Sequence, residues 1–188
     1  MKIKEDFKKY VPCNEQETRD KAVILDFLEK NPDAFLRSNL VAHMTASAWI
    51  VNPQRTKVVM VYHRIYDSWS WTGGHADGEE DLLAVALREC REETGLQKAH
   101  AVSDEIFSLE VLTVEGHEKR GEYVPSHLHL NVTYLLEADE SETLRICEEE
   151  NAGVAWFTLD EALAASSEPW FVERIYRKLN EKMKTCCG

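Results

Sequence analysis

The stretch from Gly73 to Leu96 constrains this chain more than any other: Gly-Gly-His-Ala-Asp-Gly-Glu-Glu-Asp-Leu-Leu-Ala-Val-Ala-Leu-Arg-Glu-Cys-Arg-Glu-Glu-Thr-Gly-Leu. Its second half has the period of a helix. Leu83, Leu87, Cys90 and Thr94 form one apolar stripe, while Glu89, Glu92 and Glu93 share another face. Asp77 followed by Glu80 reads as a capping box, and Glu79, Glu80 and Asp81 suit the positive end of the helix dipole. Gly95 is a natural residue for the C-terminal stop.

The glutamates at the far end carry the chemistry. Glu89, Glu92 and Glu93 crowd the turns where the dipole is negative and like charges repel, each effect costing a few tenths of a kcal/mol. Arg88, four residues before Glu92, and Arg91 give partial relief. A solvated charged face held by Arg–Glu pairs accounts for such a pattern on an arbitrary helix. The remaining negative charge is also what a hard divalent cation neutralises, and Mg2+ favours a few carboxylates, some waters and substrate phosphate oxygens.

Read from Gly74, the chain gives five residues, Glu80, seven residues, Arg88-Glu89, Cys90, one residue, Glu92-Glu93, one residue, Gly95-Leu96. This resembles the Nudix box, with every fixed position occupied. Cys90 stands where a bulky aliphatic is usual, and Thr72 precedes the glycine pair where proline is common. The resemblance covers about residues 42–165 and implies an α/β fold, a Nudix-type α/β/α sandwich with a mixed β-sheet. Residues 1–40 are then an N-terminal helical extension packed on a Nudix hydrolase domain of residues 41–188.

The implied reaction is hydrolysis of a pyrophosphate bond in a nucleoside diphosphate linked to another moiety, with Mg2+ as cofactor and Mn2+ as a substitute. The resemblance makes the Gly73 carbonyl, Glu89, Glu92, Glu93 and Glu150 the metal ligands. Glu89 is the expected base, and Arg88 holds Glu80 and the neighbouring glutamates in place. In some family members the base lies on a later loop, where Glu115, Glu118 and Glu122 stand here. Val111 to Val114 matches neither the proline nor the tyrosine that marks ADP-ribose or dinucleoside polyphosphate specificity, so the substrate stays open. A ligand-sensing Nudix domain without turnover is the alternative. An isomerase of the isopentenyl diphosphate type shares the fold, but that chemistry needs a cysteine motif that does not surround Cys13, Cys90 or Cys147 in this chain.

The rest of the chain sets the frame. A length of 188 residues fits one core, no apolar run approaches the roughly 18 residues of a membrane span, and the N-terminus lacks a secretory apolar segment. A cytoplasmic location is expected. Five cysteines without metal or disulfide spacing suit a reducing compartment, and Cys186 and Cys187 read as a thiol tail. The net charge of -12 argues against a nucleic-acid polymer as partner, but not against a phosphorylated small molecule bridged by a cation. A homodimer is left open.

Residues 14–30 read as a helix capped by Asn14, with Ile24, Phe27 and Leu28 on one stripe. His43–Val51 and Lys57–Ile65 read as a hairpin, with His63 and Arg64 at its end; Arg64 is a candidate phosphate contact. Trp69, Trp71 and Tyr123 could stack on a base, though large aromatics are more often core, and of these Trp71 is taken as a substrate contact. Residues 105–114 are strand-like, Glu115 to Ser126 a polar loop, and 127–136 a strand of strict alternation. There His127, His129, Asn131 and Thr133 share one face, and the resemblance turns His127 and His129 toward the substrate cleft. Two histidines at i, i+2 can also share a zinc ion, but no third ligand stands at a fixed spacing. Thr158 to Glu161 is a capping box, and 169–184 reads as a last amphipathic helix with Phe171, Ile175 and Leu179 on one stripe.

Overall fold

A computed structural model describes residues 2–64, 67–119, 121–147 and 151–185. In chain order the elements are α1 (Lys2–Lys9), α2 (Glu15–Lys30), β1 (Ala42–Val51), β2 (Lys57–His63), β3 (Ser68–Ser70), β4 (Thr72–His75), α3 (Leu82–Thr94), β5 (His100–Ala101), β6 (Ser108–Val114), β7 (His117–Lys119), β8 (Glu122–Val124), β9 (His127–Glu137), β10 (Asn151–Thr158), α4 (Leu159–Ala165), α5 (Pro169–Phe171) and α6 (Arg177–Thr185). The fold is of the α/β class with a mixed β-sheet and N-terminal helices, as the sequence led us to expect. The chain gathers into two compact units. One takes the chain up to Ser47 with Gly73–Ala86 and Asp104–Tyr134; the other takes Ala48–Thr72, Leu87–Ser103 and the chain from Leu135 on.

In the first unit β6 pairs antiparallel with β9, from Ser108 opposite Thr133 to Val114 opposite His127. Asn14 caps α2 through its side chain, which accepts from the Glu17 N–H at 2.8 Å. Ile24 and Leu28 are buried, and Asp20 accepts from the Val111 N–H, so α2 lies on β6. Expected strand alternation has a less expected outcome. Asn131 and Thr133 are buried with Glu17, Glu110 and Ser108, and their polar atoms are joined by hydrogen bonds. Tyr10 donates to Glu17 Oε2 at 2.6 Å, and the Ser108 hydroxyl stands between Glu17 Oε1 (2.9 Å) and Glu110 Oε1 (2.5 Å). Asn131 donates to Glu110 and accepts from Thr45 and Ser47 on β1. Buried polar groups persist where each finds such partners.

The second unit holds the β1–β2 hairpin, with Val51 opposite Val58, and β2 is flanked by β3 and β10. Its aromatic core stacks Trp49 on Tyr176, with ring centres 5.3 Å apart. The final helix is continuous but contains a π-helical stretch, Val172–Tyr176, that buries Ile175 and Tyr176 together. Thr158 caps α4 in the expected capping box. Two elements were not legible beforehand: α1, and the short β7–β8 hairpin inside the segment read as a polar loop.

The start of α3 corrects the sequence reading. Asp77 does not cap the helix; Asp81 does, accepting from the Ala84 N–H at 3.1 Å. Asp77 lies in the left-handed region (φ 50°), as does Gly78 (φ 91°), and bonds to Arg37. Asp-Gly is suited to that turn, which delays helix entry by four residues. The buried stripe is rotated as well, running through Leu82, Val85, Ala86, Cys90, Glu93 and Thr94, with Leu83 and Leu87 only half-buried. Gly95 ends the helix at φ 78° as anticipated.

Candidate functional site

The rotation of α3 divides the three glutamates. In the second unit Glu92 is exposed, Glu89 keeps only 12% of its side chain in contact with solvent, and Glu93 is buried. Arg88 Nη2 donates to Glu89 Oε1 at 2.9 Å. These groups occupy the last two turns, where the helix dipole adds negative potential. Carboxylates withdrawn from water at such a place need cationic partners, and oxygen donors of this kind suit a hard divalent ion. Cys90, between them in sequence, is buried, and burial pushes its thiol up to about 12.

The other expected site residues of this unit are placed as follows. Arg64 is exposed and its Nε reaches the Asn151 carbonyl at 3.4 Å. Trp71 is buried, meeting Tyr176 and Phe171 edge to face, and its backbone N–H donates to the Tyr176 hydroxyl. Glu150, like Cys186 and Cys187, lies outside the described residues.

Gly73, Glu80, His127 and His129 belong to the first unit. Gly73 approaches β1 so closely that a Cβ there would stand 2.5 Å from Ser47 Oγ and 2.8 Å from the Ala46 carbonyl. Glu80 is exposed, as are Glu115, Glu118 and Glu122. His127 and His129 meet, Nε2 to Nε2, at 3.2 Å.

Two residues that the sequence reading did not single out join this pair. His43, at the start of β1, and His75, at the end of β4, complete a group in which one ligand atom from each histidine lies within 4.8 Å of all the others. The His43 ring centre is 4.9 Å from that of His127 and 5.1 Å from those of His75 and His129. Burial drives the His129 imidazole down to about 2, with help from its neighbouring histidines, and burial likewise lowers His43. Both therefore stay neutral. The available signal was slight: His43 opens a strand and His75 follows the glycine pair, but nothing local links them to each other or to β9.

Fold and α3 together define a domain of the Nudix class. The NUDIX domain model matches residues 41–179, and the chain belongs to the Nudix family. Among solved structures, a C. elegans Ap4A hydrolase in a binary complex is 17% identical, with 77% of this chain and 96% of that one covered and a TM-score of 0.54. A NUDIX-family hydrolase from Clostridium perfringens (19%, 77% and 97%, 0.51) is similar too. So is the E. coli dihydroneopterin triphosphate pyrophosphohydrolase (14%, 72% and 95%, 0.52). At these identities the likeness is one of fold. No curated protein matches. Among the described residues no helix is long and apolar enough to cross a membrane.

Proposed function

We propose that the chain is a Mg2+-dependent hydrolase that cleaves a pyrophosphate bond in a nucleoside diphosphate linked to another moiety. The observation that carries this reading is the withdrawal of Glu93, and most of Glu89, from water at the negative end of α3. That burial costs free energy which a bound cation offsets. The donors fit Mg2+ or Mn2+, being carboxylates rather than thiolates or imidazoles. Glu89, Glu92 and Glu93 would hold the ion, with Glu150 as the expected addition. When bound, the ion offsets phosphate charge and acidifies a coordinated water.

The chain's own residues have distinct tasks in this reading. Glu89 accepts the proton of the attacking water, and the Arg88 guanidinium fixes which way its carboxylate faces. Arg64, exposed beside Asn151, supplies positive charge for a phosphate oxygen. Trp71 serves as a rigid wall, since its ring is committed to Tyr176 and Phe171. Residues 1–40 act as a helical extension of the domain at 41–188, a reading supported by the bonds from Glu17 and Asp20 of α2 to β6. Structural neighbours named for Ap4A and for dihydroneopterin triphosphate support a small phosphorylated substrate. The free thiols of Cys13, Cys90 and Cys147 accord with a cytoplasmic setting.

The test is a Mg2+-dependent release screen over nucleoside triphosphates, nucleotide sugars, ADP-ribose, dinucleoside polyphosphates and dinucleotide cofactors, with Glu93→Gln as control. Turnover of one class that vanishes in the control is expected. Silence across the panel, with no thermal stabilisation by Mg2+, would overturn the reading.

A further inference from the structure

We propose that His43, His75, His127 and His129 form a second metal site, one that binds Zn2+ or a first-row divalent ion of similar preference. It uses none of the α3 carboxylates. Zn–N bonds of about 2.0–2.1 Å in a tetrahedral site place neighbouring ligand nitrogens about 3.3 Å apart. The His127–His129 pair already stands at 3.2 Å, and small side-chain rotations bring the remaining ligand atoms in from their 4.8 Å limit.

Backbone carbonyls fix the tautomers of two of the four rings in the sense a metal requires. His127 Nδ1 is 2.8 Å from the Pro125 carbonyl, and His43 Nδ1 is 3.1 Å from the Asn39 carbonyl. A carbonyl oxygen only accepts, so in both rings Nδ1 carries the hydrogen and, in the neutral ring, Nε2 is left with a bare lone pair. Backbone carbonyls of this kind orient metal-bound imidazoles in general. His43 is 4% exposed, and its Nε2 has no hydrogen-bond partner. A buried lone pair without a donor is costly, and a metal ion removes that cost.

The surroundings suit a neutral-ligand site. Leu112 and Val114 of β6 lie opposite His129 and His127 in the sheet register. Arg37 and Asp77, whose charges act on His43 in opposite senses, are paired with each other. Imidazole nitrogens select zinc, copper, nickel or iron over Mg2+, which keeps oxygen ligands. The polar face of β9 thus has two ends: Asn131 and Thr133 sealed under α2 by hydrogen bonds, and His127 and His129 left to a metal.

The experiment uses the full chain without an affinity tag, stripped with a chelator and titrated with Co2+ and then Zn2+. The visible absorption of four-coordinate Co2+ should appear with one equivalent and be displaced by Zn2+. His127→Gln and His75→Asn should each weaken binding by roughly tenfold or more. Glu92→Gln should leave the Co2+ spectrum unchanged. Because His43 is buried and its loss could perturb folding, the two half-exposed histidines carry the test, with circular dichroism confirming that each variant is folded. Wild-type protein that binds Zn2+ no more tightly than folded His75→Asn and His127→Gln, or a Co2+ spectrum that survives both, would overturn the proposal.

Discussion

Arg88 Nη2 stands 2.9 Å from Glu89 Oε1, so the helix that presents the carboxylates also carries the cation that orients one of them. The Arg88 side chain is 41% exposed, which limits the pair to about 1 kcal/mol of stability. Arg88→Gln should therefore change unfolding in urea by less than about 1 kcal/mol while turnover falls by roughly tenfold or more. Parallel denaturation and steady-state kinetics check the two halves.

Glu17 accepts from the Tyr10 hydroxyl, the Cys13 N–H and the Ser108 hydroxyl while fully buried. Glu17→Ala removes an acceptor from each and leaves a cavity, so it should cost about 3 kcal/mol or more. Tyr10→Phe, which deletes one donor, should cost about 1–2 kcal/mol. Both are read from urea midpoints. A change below half a kcal/mol for Glu17→Ala would mean that α2 does not hold this face of the sheet.

Two aspartates near α3 have separable tasks. Asp81 caps the helix, and Asp81→Ala should destabilise by about 1 kcal/mol. Asp77 sits at φ 50° and pairs with Arg37 at the surface. Asp77→Gly relieves the left-handed backbone as it deletes the ion pair, so its net effect should stay within about 0.5 kcal/mol. Thermal unfolding of the two variants side by side distinguishes this assignment from one in which Asp77 is the cap.

Gly73→Ala should destabilise by about 1–3 kcal/mol, because the new methyl meets Ser47 Oγ and the Ala46 carbonyl. Adding Ser47→Ala removes the first clash and not the second. The double variant should recover part of the loss in thermal unfolding.

What could be read from the chain in advance follows the range of the forces involved. Asn14, Thr158 and Gly95 act on backbone groups a few residues away, and all three are found doing what their spacing implies. The β9 alternation was equally legible, since a strand's faces depend on parity alone. Its burial was not: whether Asn131 is wet or sealed depends on α2, roughly a hundred residues earlier. Spacing alone pointed to Asp77 as the cap, and the left-handed preference of Asp-Gly moved that task to Asp81. Local pattern also gave α3 its stripe one position off, which turned Glu93 inward. The histidine group is the extreme case. His43, His75 and the β9 pair come from three elements far apart in sequence, so only the folded chain brings the third and fourth ligands to the pair that spacing had revealed.

The most direct test of the account is the Mg2+-dependent turnover of Glu92→Gln on the best substrate of the panel. Glu92 is exposed, so its replacement leaves packing intact and isolates its charge from the fold. We predict a fall on the order of a hundredfold in kcat with no more than a small change in Tm. Turnover within a few-fold of wild type, at any Mg2+ concentration, would contradict the assignment of the α3 carboxylates as the site of the reaction.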